Sequence, residues 1–230
     1  MKITTRIAYS LFPSYVWGTL REELKLTRCR WKARRRVDGH IFAGSGYKLH
    51  LGSGPRVVPG WFNIDGAPQD QLDLQWDLRT PLPFANRSCR LIYSEHLLEH
   101  LFKEDALNLL QECNRLLEPG GSIRLGVPDA ELYLRAYVER RTDFFQGLKH
   151  LGGAVIPLST PIDVINQMFR MGGAHLFAWD FETIERALVD AGFTQITRWP
   201  SGQASSPELC LDDPEHAFET LYVEAVKPGV

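Results

Sequence analysis

The sequence predicts an α/β fold: a Rossmann-like, doubly wound, mostly parallel sheet of about seven strands with an antiparallel last strand, plus an N-terminal helical extension. Three observations carry that prediction. From Tyr47 onward, short apolar runs alternate with segments of helical period, the pattern of a sheet buried beneath helices. Several runs end at glycine or aspartate, among them Gly52, Asp65, Asp77 and Asp129, residues that suit a chain leaving a strand. The last two runs have a loop and no helical pattern between them, which makes them antiparallel neighbours.

The elements follow in order. Residues 1–40 form the extension. Pro13 opens a helix, where its missing N–H is harmless, and Trp17, Leu20 and Leu24 recur on one face. The Arg28–Arg36 stretch comes next with Trp31 inside it, and Gly39, Gly44 and Gly46 punctuate the exit. Tyr47–Leu51 is the first strand and runs into Gly52-Ser53-Gly54-Pro55. Trp61–Ile64 is the second, ending at Asp65. Residues 72–76 make a third, ending near Asp77, and Leu91–Tyr93 a fourth. Ala106, Leu110, Cys113 and Leu117 share one face of a helix from Lys103 to Leu117, which Pro119-Gly120-Gly121 stops. Ile123–Val127 is the fifth strand, and Glu131–Arg140 a further helix. Periodicity weakens over 144–178, although Thr160-Pro161 opens a short helix that Gly172-Gly173 closes. Asp180 caps a helix with Phe181, Ile184, Leu188 and Ala191 facing inward, stopped by Gly192. Phe193–Trp199 and Phe218–Val226 are the last strands.

With 230 residues, 44% hydrophobic and 23% charged, the chain has ordinary globular proportions, which exclude a coiled coil, a collagen and a wholly disordered chain. No apolar run reaches the roughly 20 residues of a membrane span. The Ile7–Trp17 run is short, interrupted by Pro13, and lacks a small-residue cleavage site, so it is not read as a signal peptide. Cys29, Cys89, Cys113 and Cys210 lie far apart without a C-x-x-C pair, which argues against a zinc ribbon or a disulfide framework and for a reducing cytoplasm. Charge is uneven: residues 1–40 hold ten Lys/Arg against three Asp/Glu, giving +7, while the rest carries -9. Such an arm either docks on the chain's own acidic surface or meets an anionic membrane.

Chemistry concentrates at the strand ends. Gly52 and Gly54 let a ligand approach the backbone of the first turn. Val57 stands where a dinucleotide fingerprint needs its third glycine. Pro55 and Pro59, within the ten residues between Gly54 and Asp65, leave almost no room for a helix. A pyrophosphate seated on a helix N-terminus is therefore not expected. Asp65 suits two ribose hydroxyls, and Asp77-Leu78 an adenine amino group and ring nitrogen.

Read together, these features resemble the class I S-adenosylmethionine-dependent methyltransferases, in the small bacterial group called type 11. The likeness runs from Tyr47 to Gly192. It rests on Leu51-Gly52-Ser53-Gly54, Pro59-Gly60-Trp61-Phe62-Asn63-Ile64-Asp65, Asp77-Leu78 and Pro81-Leu82-Pro83-Phe84. It continues in Ser94-Glu95-His96-Leu97-Leu98-Glu99-His100-Leu101, Arg115-Leu116-Leu117-Glu118-Pro119-Gly120-Gly121, Val127-Pro128-Asp129 and His175. The resemblance implies S-adenosyl-L-methionine as cofactor. Leu51, Gly52, Ser53 and Gly54 would lie beneath its methionine and ribose, Asp65 at the ribose, and Asp77 with Leu78 at the adenine. Ser94, Glu95 and His96 would come near the sulfonium and the acceptor. Residues 41–230 would be the methyltransferase domain, with 144–178 an insertion serving the acceptor. The trimmed helix after the glycine turn departs from the family pattern and calls for another cover, which the 1–40 extension can supply through Trp17 and Trp31.

The expected reaction is methyl transfer to an oxygen or nitrogen of a small molecule or glycan. His96 and His175 are the candidate catalytic residues, His175 as a base toward a hydroxyl. Phe144, Phe145, Met168, Phe169, Met171, Phe177 and Trp179 either roof an acceptor pocket or belong to the core. Two rival classes remain: a cofactor-binding fold acting in assembly without turnover, and a zinc hydrolase. The latter reads His96-Leu97-Leu98-Glu99-His100 as H-x-x-E-H on a helix, with Glu112 or Glu118 as third ligand. The methyltransferase pattern explains the same residues, so no metal is expected. Nucleic acid is not an expected partner, because the body is acidic and lacks a basic aromatic platform. The protein is expected in the cytoplasm, with weak membrane-surface contact by residues 1–40 as the alternative to docking.

Overall fold

The computed structural model describes residues 20, 23–31, 42–148 and 158–229. The expected helix start at Pro13, Trp17 and the stretch 32–41 lie outside the described residues. Seven strands form one sheet: β1 Tyr47–Leu51, β2 Phe62–Asp65, β3 Leu74–Gln75, β4 Cys89–Glu95, β5 Leu117–Pro128, β6 Thr194–Trp199 and β7 Thr220–Val226. Their spatial order is β3-β2-β1-β4-β5-β7-β6. The pairs from β3 to β5 are parallel, and β7 is antiparallel to both β5 and β6. The last strand thus inserts between β5 and β6. The helices are α1 Lys103–Leu116, α2 Ala130–Val138, α3 Thr142–Leu148, α4 Pro161–Arg170 and α5 Phe181–Asp190, with a residue 23–31 helix at the N-terminal side.

Side-chain alternation sorts the strands into two faces. One carries Leu49, Leu51, Ile92, Ile123, Leu125, Val127, Val223 and Ala225. Against it pack Ala106, Leu109, Leu110, Cys113 and Leu116 of α1, and Ile184, Ala187 and Leu188 of α5. Burying each such Leu or Ile stabilises by about 1.5–3 kcal/mol. Asp180 caps α5 by accepting from the Thr183 N–H at 2.9 Å. The chain passes from α1 into β5 at Leu117 without a loop, so the Pro119-Gly120-Gly121 run lies within a strand rather than stopping the helix.

The other face carries Leu91 and Tyr93 of β4, Arg124 of β5, and Tyr222 and Glu224 of β7. Where the first helix is trimmed, loops cover it. Trp61 and Val58 from the turn after β1, and Ala204, Leu209 and Leu211 from the loop after β6, pack with Leu91 and Tyr93. A second apolar cluster joins Tyr133 and Ala136 of α2, Phe145 and Leu148 of α3, and Val164, Ile165 and Met168 of α4 beyond the carboxyl ends of the strands. Of the aromatic and methionine residues left open between pocket and core, Phe177 and Trp179 join the main core, while Phe144, Phe145 and Phe169 join this second cluster.

Candidate functional site

The carboxyl ends of β1, β4 and β5 open into a cavity of about 460 Å³, the place where open parallel sheets bind ligands. Its floor is the turn after β1. Gly52 and Gly54 hold φ of 68° and 51°, a region that favours glycine. A Cβ built on Gly54 meets nothing within 4 Å, so its backbone faces open space. The Ser53 hydroxyl is buried without a partner among the described residues. Asp65, at the end of β2, accepts from Gly54 N at 2.8 Å and from Ala67 N at 2.7 Å. Each carboxylate oxygen keeps a lone pair for a further donor. Arg56 brings a half-exposed cation to the rim, bonded to Glu95 at 3.1 Å. Open space at Gly54, an orphaned hydroxyl, a carboxylate with spare lone pairs and a nearby cation fit a ligand carrying ribose hydroxyls and an amino-acid carboxylate.

The structure gathers Gly52, Ser53, Gly54, Glu95, His96 and His175 around this cavity. Leu51 and Ser94 are buried in the strands behind it, the Ser94 hydroxyl without a partner among the described residues. Asp65 lies at the turn beside it, and Leu78 is in the core. Asp77 is buried and engaged: its carboxylate accepts from Arg30 at 2.9 Å and from Arg79 at 3.0 Å through each oxygen. An adenine amino group would have to share that carboxylate with two guanidiniums. Arg79 also grips Glu23, whose carboxyl it holds below the usual range through hydrogen bonding and charge. The residue 23–31 helix therefore docks beside β2 and β3, with Leu26 against Gly66 and Cys29 buried. Leu20, Leu24 and Trp31 of this segment are largely exposed.

Beyond the floor, histidines and carboxylates line the cavity. β4 ends at Glu95, whose carboxylate accepts from the Tyr93 and Tyr222 hydroxyls, Arg56 and the Asp213 N–H. His96 then takes φ 51°, and Leu98–His100 forms a single 3-10 turn. The H-x-x-E-H reading needed one α-helix here, and the backbone does not supply it. His96 instead places Nδ1 3.0 Å from Glu99 and Nε2 3.1 Å from the Thr220 hydroxyl. Burial alone would lower the His96 pKa, but the Glu99 hydrogen bond and the charges of Glu99, Glu219 and Glu95 raise it to about 9. These carboxylates favour the charged ring, which donates from both nitrogens. Glu112 is spent on Arg115 and the Leu82 N–H, away from the cavity.

His100 pairs with His175, ring centroids 4.8 Å apart. The segment carrying His175 is fastened by backbone bonds from Leu176 N and Phe177 N to the Glu99 carbonyl. Burial lowers the His175 pKa. His216 and Glu219, from the loop before β7, repeat the His96–Glu99 spacing of three and meet at 2.7 Å, while Glu219 also accepts from Tyr133. That repeated His-x-x-Glu spacing was the sequence signal for two cavity residues that strand-end reasoning missed; Arg56 and Tyr133 had none.

His50, buried beside the cavity floor with Nδ1 3.2 Å from Asn63 Oδ1, has its pKa lowered chiefly by burial. The unfolded chain binds that proton near pH 6.5 and the native chain does not, so its contribution to stability falls as pH drops below about 6.5, by at most about 1.4 kcal/mol per unit. Urea midpoints at pH 7.5 and 5.5 check this. The fall between them is expected to be smaller in His50→Gln than in the wild type, and equal falls would remove His50 as a contributor.

Residues 66–125 match the family model described as a methyltransferase domain, of the type 11 group. No curated protein sequence matches the chain. Solved structures resemble it distantly. A SAM-dependent methyltransferase of Archaeoglobus fulgidus is 14% identical, over 90% of this chain and 94% of that one, with a TM-score of 0.48. A SAM-dependent methyltransferase of Thermotoga maritima, described as a possible histamine N-methyltransferase, is 14% identical over 95% and 99% with a TM-score of 0.47. Phosphoethanolamine N-methyltransferase 2 of Haemonchus contortus, bound to phosphomonomethylethanolamine and S-adenosylhomocysteine, is 13% identical over 84% and 51% with a TM-score of 0.47. The matched segment runs from just after β2 to the middle of β5, the sheet has the expected parallel body with an antiparallel last strand, and over that segment the chain is similar to the methyltransferase domain of the type 11 group.

Proposed function

We propose that the protein transfers the methyl group of S-adenosylmethionine to an oxygen or nitrogen of a small molecule or glycan held under α2, α3 and α4. The observation that carries this reading is one continuous cavity. Its floor is the Gly52–Gly54 turn, and its far wall is Leu148, Leu158, Val164, Met168 and Met171. Bound there, the cofactor supplies a methyl carbon already activated by its sulfonium. The protein's work is then alignment and exclusion of water.

Gly52, Gly54 and Ser53 seat the methionine and ribose, Asp65 accepts from the ribose hydroxyls, and Arg56 faces the carboxylate. Glu95 and its tyrosines shape the cavity near the sulfonium. His96, charged and bonded at both nitrogens, is a positioning residue. His175, on the cavity wall with its pKa lowered by burial, presents a lone pair toward the acceptor. Residues 144–178 serve as the acceptor insertion, and the residue 23–31 helix of the extension covers the cofactor side through Glu23, Leu26 and Arg30. No helix among the described residues is long and apolar enough to cross a membrane; the exposed Leu20, Leu24 and Trp31 leave surface contact as an added role of that segment.

Incubation with methyl-labelled cofactor and separate pools of hydroxylated small molecules, amines and oligosaccharides tests the reading. Label is expected in one pool and not in protein or nucleic acid. Tight cofactor binding with transfer to none of the pools would favour a binding protein instead.

A further inference from the structure

We infer that Glu99, His100 and His175 form a binding site for a zinc-class divalent ion on the wall of the acceptor cavity. The sequence suggested no metal, and the only pattern that invited one paired His96 with His100. The structure separates those two and makes a different group. One oxygen of Glu99 and one ring nitrogen each of His100 and His175 come within 4.8 Å of one another.

Three further facts point to a ligand there. His100 Nδ1 lies 3.1 Å from the Ala174 carbonyl, and His175 Nδ1 lies against the Met168 carbonyl. A carbonyl only accepts, so each Nδ1 carries a proton, and Nε2 is the nitrogen left to bind an ion. Metal-binding histidines are oriented in this way, with the second nitrogen donating to a backbone oxygen. Glu99 supplies the third group. Its side chain is 3% exposed. Oε1 takes His96, and Oε2 is buried with no partner among the described residues. A buried carboxylate oxygen left unpaired is costly, and a cation removes that cost.

The neighbouring group of His96, His216 and Glu219 is also compact but lacks these features. Both nitrogens of His96 are engaged, and the Glu219 oxygens are taken by His216 and Tyr133. Its carboxylate oxygens are already spent on hydrogen bonds.

Two imidazoles and one carboxylate favour zinc and its neighbours over magnesium or calcium, which take oxygen ligands. Tetrahedral ligands about 2.1 Å from an ion lie about 3.4 Å apart, so modest ring rotations close the site. Three protein ligands leave one position open, toward a cavity that all three residues line. The open position suits a hydroxyl, phenol or amine of the methyl acceptor, and the assignment gives the lone pair of His175 to the ion rather than directly to a proton. It deepens the acceptor side of the proposed function, and metal binding can be measured without cofactor or turnover.

The test uses the full chain, purified without an affinity tag and stripped with a chelator. Titration calorimetry with zinc alone is expected to show one ion per chain. Affinity should fall at least tenfold in His100→Gln and in His175→Gln, and stay within threefold of wild type in His216→Gln. Zinc should also raise the melting temperature of the wild type but not of the first two variants, a readout that each protein supplies against its own zinc-free state. Absence of saturable binding overturns the site. So does binding that survives both His100→Gln and His175→Gln, or that is lost in His216→Gln. Cofactor affinity measured in the same samples shows separately whether the methyltransferase reading stands.

Discussion

Replacing Arg124 by Met is expected to destabilise the protein by about 3–5 kcal/mol, the cost of stripping one partner from a buried ion cluster. Arg124 is fully buried in the middle of β5. Its Nε and Nη2 hold Asp212 in a fork at 2.8 and 2.6 Å, its Nη1 meets Glu224 at 2.8 Å, and its guanidinium lies 4.8 Å from the Tyr222 ring centre. Both carboxylates are nearly buried and also accept from loop N–H groups, Asp212 from Gly202 and Glu224 from Ser205. Methionine fills the volume but leaves two carboxylates facing an apolar wall. Natural domains have only about 5–15 kcal/mol in total, so a cooperative urea transition should move far toward zero. Arg124→Lys keeps the charge and loses the fork, and should fall between the two. A loss under about 1 kcal/mol in Arg124→Met would mean that the loop after β6 swings out and hydrates both acids. Because that loop also supplies Asp213 and the Leu211 carbonyl to Glu95 and Arg56, its release should disturb the cavity rim as well.

That cluster also shows where the sequence was legible and where it was not. Strand-end glycines and aspartates announce themselves because local turn chemistry demands them, and the β1 turn, Asp65 and the α1 and α5 faces follow from spacing alone. The insertion of β7 between β5 and β6 leaves no local mark, since it is a matter of pairing across the sheet. Arg124 sits in an apolar strand whose neighbours give no hint of two acids 88 and 100 residues later. Asp77 looked free because its partners Arg30 and Glu23-bound Arg79 include one 47 residues upstream. The H-x-x-E-H pattern failed for a backbone reason: His96 turns left-handed at the end of β4, so the helical spacing never forms. The cavity histidines His100 and His175 were both named from the sequence, but their pairing depends on the segment around Ala174 being fastened to the Glu99 carbonyl.

Substituting Asp65 by Ala is expected to weaken S-adenosylmethionine binding by ten- to a hundredfold. Loss of a charged hydrogen-bond partner to a ligand hydroxyl costs about 1.5–3 kcal/mol, and each 1.4 kcal/mol is a factor of ten. Under the proposed function the residue has two tasks. It stands at the end of β2 with spare acceptor capacity, and it bridges the Gly54 and Ala67 N–H groups, so it also holds the glycine turn in the shape that meets the ligand. Asp65→Asn separates the tasks. The amide oxygen can keep one backbone N–H while the charge and the second acceptor are lost, so its affinity should lie between wild type and Asp65→Ala. Titration calorimetry with the cofactor, and with its demethylated product, reads all three proteins. Product should follow the same ranking, since the ribose is common to both. Equal cofactor affinity in wild type and Asp65→Ala would remove Asp65 from the site and move the ribose away from the end of β2. A fall in Asp65→Ala that Asp65→Asn fully restores would assign the effect to bracing of the turn rather than to the ribose.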